Sequence, residues 1–412
     1  MTLAVTVLFW HVLLGLAAFG LFSSSIFLLL VLIATVRFKK RADSARRSVL
    51  NTSINPPPVT ILKPVHGMEE RLEQNLESFF RQDYPDFEII IGARSADDPA
   101  VALTEKLRVR YPQVKSRIVI SGPPAWPNAK VFTLNKMIPL SRNDFFVISD
   151  SDVRVEPDFL RSVMPPLVCQ KLGEQKLGLV TCLYRGDPAA GFWSLLEALG
   201  MSVEMPSGVV VADMLEGIRF ALGPAVAFRR DALEAIGGIA ATADYYSDDY
   251  VLGNKIWAAG YRVIFSHHFV YHVLTPRPFL RTLGDQLRWM KSTRHSRPWG
   301  HLGTGLTFAM PFGALGFIAS AALGNLPLAI AVLTIAFLNR MIQSVAVGWG
   351  LLRDRRALRL CWLYPLRDFQ GFVVWAASYF SRDFYWRGET YRFIAGGKII
   401  VRDREVADPA PR

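Results

Sequence analysis

The carboxylates of this chain are grouped, and the grouping points to chemistry. Asp150-Ser151-Asp152 follows directly on the apolar run Asp144-Phe-Phe-Val-Ile148 and Ser149. Two aspartates separated by one residue on an extended segment present both carboxylates to the same side. Paired hard oxygens suit one Mg2+ or Mn2+, with coordination positions left open for a diphosphate. The ion would neutralise charge on a departing nucleotide diphosphate. Asp152 is expected to hold the metal, with Asp150 shared between metal and nucleotide. A second set, Asp97-Asp98-Pro99, follows the run Phe87-Glu-Ile-Ile-Ile91, and a third, Asp248-Asp249, lies beyond Gly237-Gly238. A carboxylate beside another carboxylate in a partly apolar pocket titrates high, so either Asp248 or Asp249 could take a proton from an attacking hydroxyl. The competing role is an N-cap for a helix over residues 251–259.

Gln286-Leu287-Arg288-Trp289 lies in a basic amphipathic stretch that also holds Arg281, Lys291, Arg294 and Arg297. One role is an interfacial helix that grips anionic headgroups, with Trp289 in the aromatic belt. The other is a diphosphate clamp by Arg288, with Trp289 and Gln286 closing an acceptor site. His267, His268 and His272 are expected to be ordinary strand or loop histidines. The chain has no G-x-G-x-x-G dinucleotide fingerprint.

These residues need a scaffold. Val59–Leu62, Phe87–Ile91, Arg117–Ile120 and Asp144–Ile148 are short β-branched runs that predict strands. Between them, residues 69–81, 101–111 and 130–138 carry helical spacing, with Leu72, Leu76, Phe79 and Phe80 as one apolar face. Strands alternating with helices imply an α/β domain with a mostly parallel sheet. Ligands bind such sheets outside the carboxyl ends of the strands, which is where the first two acidic sets fall.

Hydrophobic residues make up 51% of the 412, and the net charge is +12. That combination favours anionic lipid or a phosphate-bearing substrate as partner. No aromatic-interleaved basic region or zinc-finger spacing supports a nucleic-acid partner. Cys169, Cys182 and Cys361 form no metal or disulfide pattern and are expected to be free thiols. Residues 5–36 carry no charge and exceed the roughly 20 residues a bilayer needs. Arg37, Lys39, Lys40 and Arg41 follow at once, so residues 1–36 are expected to be an anchor with residue 37 onward cytoplasmic. Residues 37–58 are expected to be a basic linker, 59–275 the α/β domain and 276–300 an interfacial segment. Residues 301–353 form a transmembrane hairpin with Arg340 inside it, and residues 354–412 a re-entrant or interfacial segment and tail.

Taken in order, these motifs resemble the ceramide glucosyltransferase family (glycosyltransferase families 2 and 21), whose relatives include bacterial hopanoid-lipid enzymes. Ile61-Leu-Lys-Pro-Val-His-Gly67 resembles the family's opening strand and loop. Ser95-Ala-Asp-Asp-Pro-Ala100 resembles its first-aspartate region, and Asn128-Ala-Lys130 the segment that holds the nucleotide. Ser149-Asp-Ser-Asp152 resembles its second-aspartate motif and Asp248-Asp249-Tyr250 its third. Leu287-Arg-Trp289 resembles the end of a Q/R-x-x-R-W motif whose first position is Asp285 here, and Pro365-Leu-Arg-Asp368 and Trp386-Arg-Gly388 the bacterial tail. The resemblance implies a GT-A fold (Rossmann-like, mostly parallel) with transmembrane helices. It makes Asp249 the base, and Asp97, Asp98, Lys130 and Asp150 the nucleotide-sugar contacts. The implied activity is inverting transfer of a hexosyl unit, glucose first, from a UDP-sugar to a membrane lipid alcohol such as ceramide. The implied setting is a bacterial inner membrane with the catalytic domain in the cytoplasm. N-acetylglucosaminyl transfer to a hopanoid lipid is the alternative, followed by a polysaccharide synthase or an inactive lipid-binding scaffold.

Overall fold

The computed structural model describes residues 2–51, 55–169, 171–172, 175–386 and 388–402. Arg387 of the tail motif, residues 52–54 of the expected linker and residues 403–412 of the tail lie outside the described residues. The chain divides into an α/β unit (residues 41–187, 217–275 and 383–412) and a helical unit (residues 1–40, 188–216 and 276–382).

In the α/β unit the four expected strands are β1 (Val59–Pro64), β2 (Phe87–Ala93), β3 (Lys115–Ile120) and β4 (Phe145–Ser149). They alternate with helices α2 (Leu72–Phe80), α3 (Pro99–Arg110) and α4 (Ala129–Met137). β1 pairs in parallel with β2 on one side and β4 on the other, and β2 pairs in parallel with β3. Ile61 faces both Ile89 and Val147, and all three are buried. The apolar face of α2 covers that layer: Leu72, Leu76, Phe79 and Phe80 are all buried. Because the strand order reverses about β1, the carboxyl ends of β1 and β4 form the switch point where such sheets take ligands.

The chain then adds β5 (Val153–Arg154), α5 (Phe159–Cys169), β6 (Lys171–Leu172), β7 (Gln175–Asp187), β8 (Ala225–Arg229), α7 (Arg230–Glu234), α8 (Asp248–Ala258) and β9 (Arg262–Val273). β8 enters antiparallel between β4 and β7, giving the order β3-β2-β1-β4-β8-β7-β9-β5, with β6 paired to β7. A small antiparallel sheet of β10 (Asp383–Trp386), β11 (Glu389–Phe393) and β12 (Ile399–Val401) completes the unit. Tyr246 packs edge-on against Phe384, Trp386 and Phe393, and Ile399 N donates to Asp244 O at 2.8 Å. The segment just ahead of Asp248 is thereby held on both sides.

The helical unit contains the start of α1 (Thr2–Asn51), then α6 (Phe192–Glu216), α9 (Phe279–Ser296), α10 (Pro298–Thr304), α11 (Met310–Ala322), α12 (Leu326–Gln343), α13 (Arg355–Arg359) and α14 (Tyr364–Ala377). Among the described residues, three helices are long and apolar enough to cross a membrane: Ala4–Ser44, Phe192–Glu216 and Leu326–Trp349.

Three sequence expectations change here, and a fourth gains detail. Helix α1 runs past residue 36 to Asn51 because nothing before Pro56 breaks a helix, so the expected linker starts as helix. α6, expected inside the α/β domain, belongs to the helical unit. The first arm of the hairpin is split: turns over residues 302–307 end α10, and Pro311 opens α11 in its first turn. Residues 360–380, expected to hold a re-entrant or interfacial element, contain the 14-residue helix α14. Arg340, inside the expected hairpin, is buried. It donates to Asp368 Oδ1 and Thr307 O, each at 3.1 Å, and to Asn339 Oδ1.

Candidate active site

The loop after β4 is fastened from beneath. Lys63, at the end of β1, is fully buried and donates to Ser149 Oγ at 3.3 Å and to Asp150 O. Its Nζ lies 4.1 Å over the Phe79 ring. Burial pushes its pKa down to about 7, against the pull of Asp150, Asp152 and Glu69. Asn75 Nδ2 donates to Ser151 O at 3.2 Å, and Ser151 Oγ donates to Glu69 Oε2 at 2.6 Å. On the far side Val273 N donates to Asp152 O at 2.7 Å, where β5 pairs Val153 with His272. With its backbone pinned at 150, 151 and 152, the loop frees the two aspartate side chains for other work.

Those side chains meet two different partners. Lys130 Nζ lies 2.7 Å from Asp150 Oδ1 and 3.2 Å from Asp248 Oδ2. Burial opposes charge on Lys130, but Asp150, Asp248 and Asp249 outweigh it and hold the ammonium above its ordinary range. Asn128 caps α4 by accepting from Val131 N at 3.1 Å, and its Nδ2 donates to Asp248 Oδ1 at 3.3 Å. The cap that starts the helix therefore also aims Lys130. Asp152 Oδ2 lies 3.4 Å from His272 Nε2, while Asp152 Oδ1 is buried without a hydrogen-bond partner.

Helix α8 begins at Asp248, with Ser247 at the N-cap position and both aspartates in its first turn. The expected helix start near 251 moves back by one turn, because carboxylates suit a helix N-terminus. Two glycines set the approach. A Cβ on Gly253 would collide with the backbone of Phe220 and Ala221, so only glycine lets α8 lie against that loop. A Cβ on Gly223 would stand 2.9 Å from Asp249 Oδ2 and 3.5 Å from Asp150 Oδ2. Asp150 and Asp249 thus flank one bare stretch of backbone. Burial first, and then Asp248, raise the pKa of Asp249 to about 7, although Lys130 pulls the other way.

The remaining predicted residues divide. Asp97 is exposed at the ligand edge. Asp98 is committed to structure: its Oδ1 accepts from Ala100 N at 2.9 Å as the cap of α3, and both oxygens accept from Gly67 N. Gln286, Arg288 and Trp289 lie on α9 in the helical unit. Arg288 Nη2 donates to Asp285 Oδ1 at 2.9 Å, so the aspartate that departs from the Q/R-x-x-R-W pattern engages the motif's own arginine. Sequence reasoning missed Lys63, whose signal was a charge inside an otherwise apolar strand. It also grouped His272 with two neighbours that lie elsewhere: His268 Nδ1 sits 3.7 Å from Asp158, and burial pushes the pKa of His267 down to about 4.

A divalent ion fits the donors at the β4 end. Among the described residues no three His, Cys, Asp or Glu side chains are already gathered around an ion position. The buried Asp152 Oδ1 nonetheless lacks a partner, His272 Nε2 lies 3.4 Å from Asp152 Oδ2, and Asp150 leaves the same end of β4.

A parallel half-sheet closed by an antiparallel strand, with acidic loops at the switch point, defines the GT-A fold of nucleotide-sugar transferases. A solved mannosyltransferase from Pyrobaculum calidifontis, in complex with GDP-Man and Mn2+, shares that fold at a TM-score of 0.52 and 19% identity, covering 87% of this chain and 99% of that one. The model of Glycosyl transferase family 21 matches residues 22–399, and the chain belongs to that family. Ceramide glucosyltransferase 3 of Caenorhabditis elegans is 23% identical over 354 residues, 84% of this chain and 74% of the relative. Ceramide glucosyltransferase 1 of the same organism is 25% identical over 238 residues, 57% of this chain, and the match spans about half (49%) of that relative's length.

Proposed function

We propose that the chain transfers a hexosyl unit, glucose first, from a UDP-sugar to the hydroxyl of a membrane lipid such as ceramide, with inversion. The observation that carries this reading is the convergence of Asp150, Asp248, Asp249 and Lys130 at the switch point, with Asp249 half-buried and its pKa raised to about 7. A base that titrates near neutral pH is half ionised where it works, and so is suited to take a proton from an alcohol. Asp249 removes the hydroxyl proton as the oxygen attacks the anomeric carbon from the face opposite the UDP. The new C–O bond forms as the bond to the diphosphate breaks, and the configuration inverts. Lys130 holds Asp150 and Asp248 in place and offsets their negative charge. Asp97 is the nucleotide contact. Asp150, Asp152 and His272 would hold a divalent ion, which would offset charge on the leaving diphosphate. Arg288, Trp289 and Gln286 serve the acceptor or diphosphate side. The membrane helices, with Arg37, Lys39, Lys40 and Arg41 at the cytoplasmic surface, keep the reaction where UDP-sugars occur.

The test is a crossed assay of the purified protein in lipid nanodiscs. UDP-glucose and UDP-N-acetylglucosamine are each paired with ceramide and with a hydroxylated hopanoid. The reading expects a glycolipid that requires Mg2+ or Mn2+, made best from UDP-glucose and ceramide. No glycolipid from any pairing would refute it.

A further inference from the structure

Helices α6, α9 and α14 of the helical unit bring together four polar side chains that the site above does not use as a group. Arg367 Nη2 lies 2.9 Å from Glu204 Oε2. Gln370, one turn along α14 from Arg367, donates from Nε2 to Gln286 Oε1 at 3.3 Å. Arg367 packs against α6 at Gly200, where an added Cβ would collide with its Nε. A Cβ on Gly371 would stand 3.5 Å from either Glu204 carboxylate oxygen and 3.1 Å from Phe308.

The cluster is left with unused hydrogen-bonding capacity. Arg367 and Gln286 are 7% and 5% exposed, yet Arg367 Nε and Nη1 and Gln286 Nε2 are buried donors without a hydrogen-bond partner. Orphaned donors are costly in an apolar setting. The neighbouring Arg340 spends its donors on Asp368, Asn339 and Thr307. The Glu204 side chain is 26% exposed, so the cluster opens to its surroundings. Arg367 balances Glu204, and Arg340 balances Asp368, which leaves no net charge to attract a phosphate. Beside Gly371, Phe308, Phe372 and Trp375 form an aromatic wall, with Phe372 and Trp375 stacked at 5.5 Å. Free donors, one accessible carboxylate, zero net charge and an apolar wall together suit an uncharged amphiphile.

We propose that Glu204, Gln286, Arg367 and Gln370 bind the headgroup of an uncharged lipid that carries hydroxyl and amide groups. Arg367 and Gln286 donate to its oxygens, and Glu204 accepts from a hydroxyl. The proposal rests on the lipid-acceptor reading above and names the groups that recognise that acceptor.

The experiment measures donor-free binding of a short-chain fluorescent ceramide to the full chain in nanodiscs, with fluorescent phosphatidylglycerol of the same chain length as the anionic probe. Glu204→Gln and Gln286→Met are expected each to weaken ceramide binding about tenfold. The phosphatidylglycerol signal should not change in either variant, and the KM for UDP-glucose should not change in Glu204→Gln. Gln286→Met removes no charge, so it keeps the test decisive if Glu204→Gln, which strands Arg367, fails to fold. Unchanged ceramide affinity in the folded variants would mean that buried water alone satisfies the cluster, and would overturn the proposal. If ceramide binds in this way but no donor yields a product, the transfer reading fails and the lipid site stands. If transfer proceeds and neither variant moves the KM for ceramide, the lipid site fails and the transfer reading stands.

Discussion

Lys130 Nζ stands 2.7 Å from Asp150 Oδ1, and the same ammonium reaches Asp248 Oδ2 at 3.2 Å. One half-buried cation therefore ties the loop after β4 to the first turn of α8. Lys130→Met should leave three half-buried carboxylates without their shared counter-charge. Turnover is expected to fall about 100-fold or more, on the scale of losing an electrostatic contact in a closed site. The pKa of Asp249 should rise further, since Lys130 is a group that lowers it. Steady-state rates across pH check both effects, the second as an acidic limb displaced to higher pH.

Asp249 itself predicts two pH dependences. The base must be ionised, so kcat/KM should climb with pH and level off above about 7. Stability should run the other way. The folded chain keeps a proton on Asp249 at pH values where the unfolded chain has released it. Unfolding then releases that proton, and stability falls as pH rises from the ordinary carboxylate range to about 7. Asp249→Asn resembles the protonated form. It should abolish transfer yet raise Tm, by a margin that widens with pH up to about 7. Thermal unfolding in detergent at several pH values measures the margin.

Gly223→Ala adds one methyl group 2.9 Å from Asp249 Oδ2. The carboxylate must shift by a few tenths of an ångström or more, and misplaced catalytic groups lose rate steeply. Activity should fall by about 10- to 100-fold while the circular dichroism spectrum stays that of the parent.

Arg340 and Asp368 are 2% and 3% exposed and 3.1 Å apart. Removing one partner strands the other, which costs about 3–5 kcal/mol for a buried pair. Asp368→Asn also weakens the acceptor for Ala309 N and Met310 N at the start of α11. Either Arg340→Met or Asp368→Asn should lower Tm markedly, and the double variant should recover part of the loss. Thermal unfolding of all three in detergent gives the coupling.

The parts of this molecule that were legible in the sequence are those governed by local pattern. β-branched runs marked the first four strands, and acidic residues at two of their ends marked the ligand edge. What stayed hidden depends on long-range partners. Asp97 and Asp98 are adjacent and chemically alike, yet the fold turns Asp98 into a cap for α3 and an acceptor for Gly67. His272 resembles His267 and His268 until the β5–β9 pairing sets it beside Asp152. Lys63 reads as a surface residue until β4 closes over it. In α6, Glu197, Glu204 and Asp213 interrupt the apolar pattern, so the helix resembles part of a soluble domain; Glu204 finds its counter-charge in Arg367, far along the chain.

The central claim is a direct displacement in which Asp249 takes the proton of the lipid hydroxyl. NMR of the glycolipid made from 13C-labelled UDP-glucose and ceramide tests it most directly. The wild-type chain should give only the β-anomer, opposite to the α-linked donor, and Asp249→Asn should give none. An α-linked product, or a β-linked product formed equally well by Asp249→Asn, would contradict it.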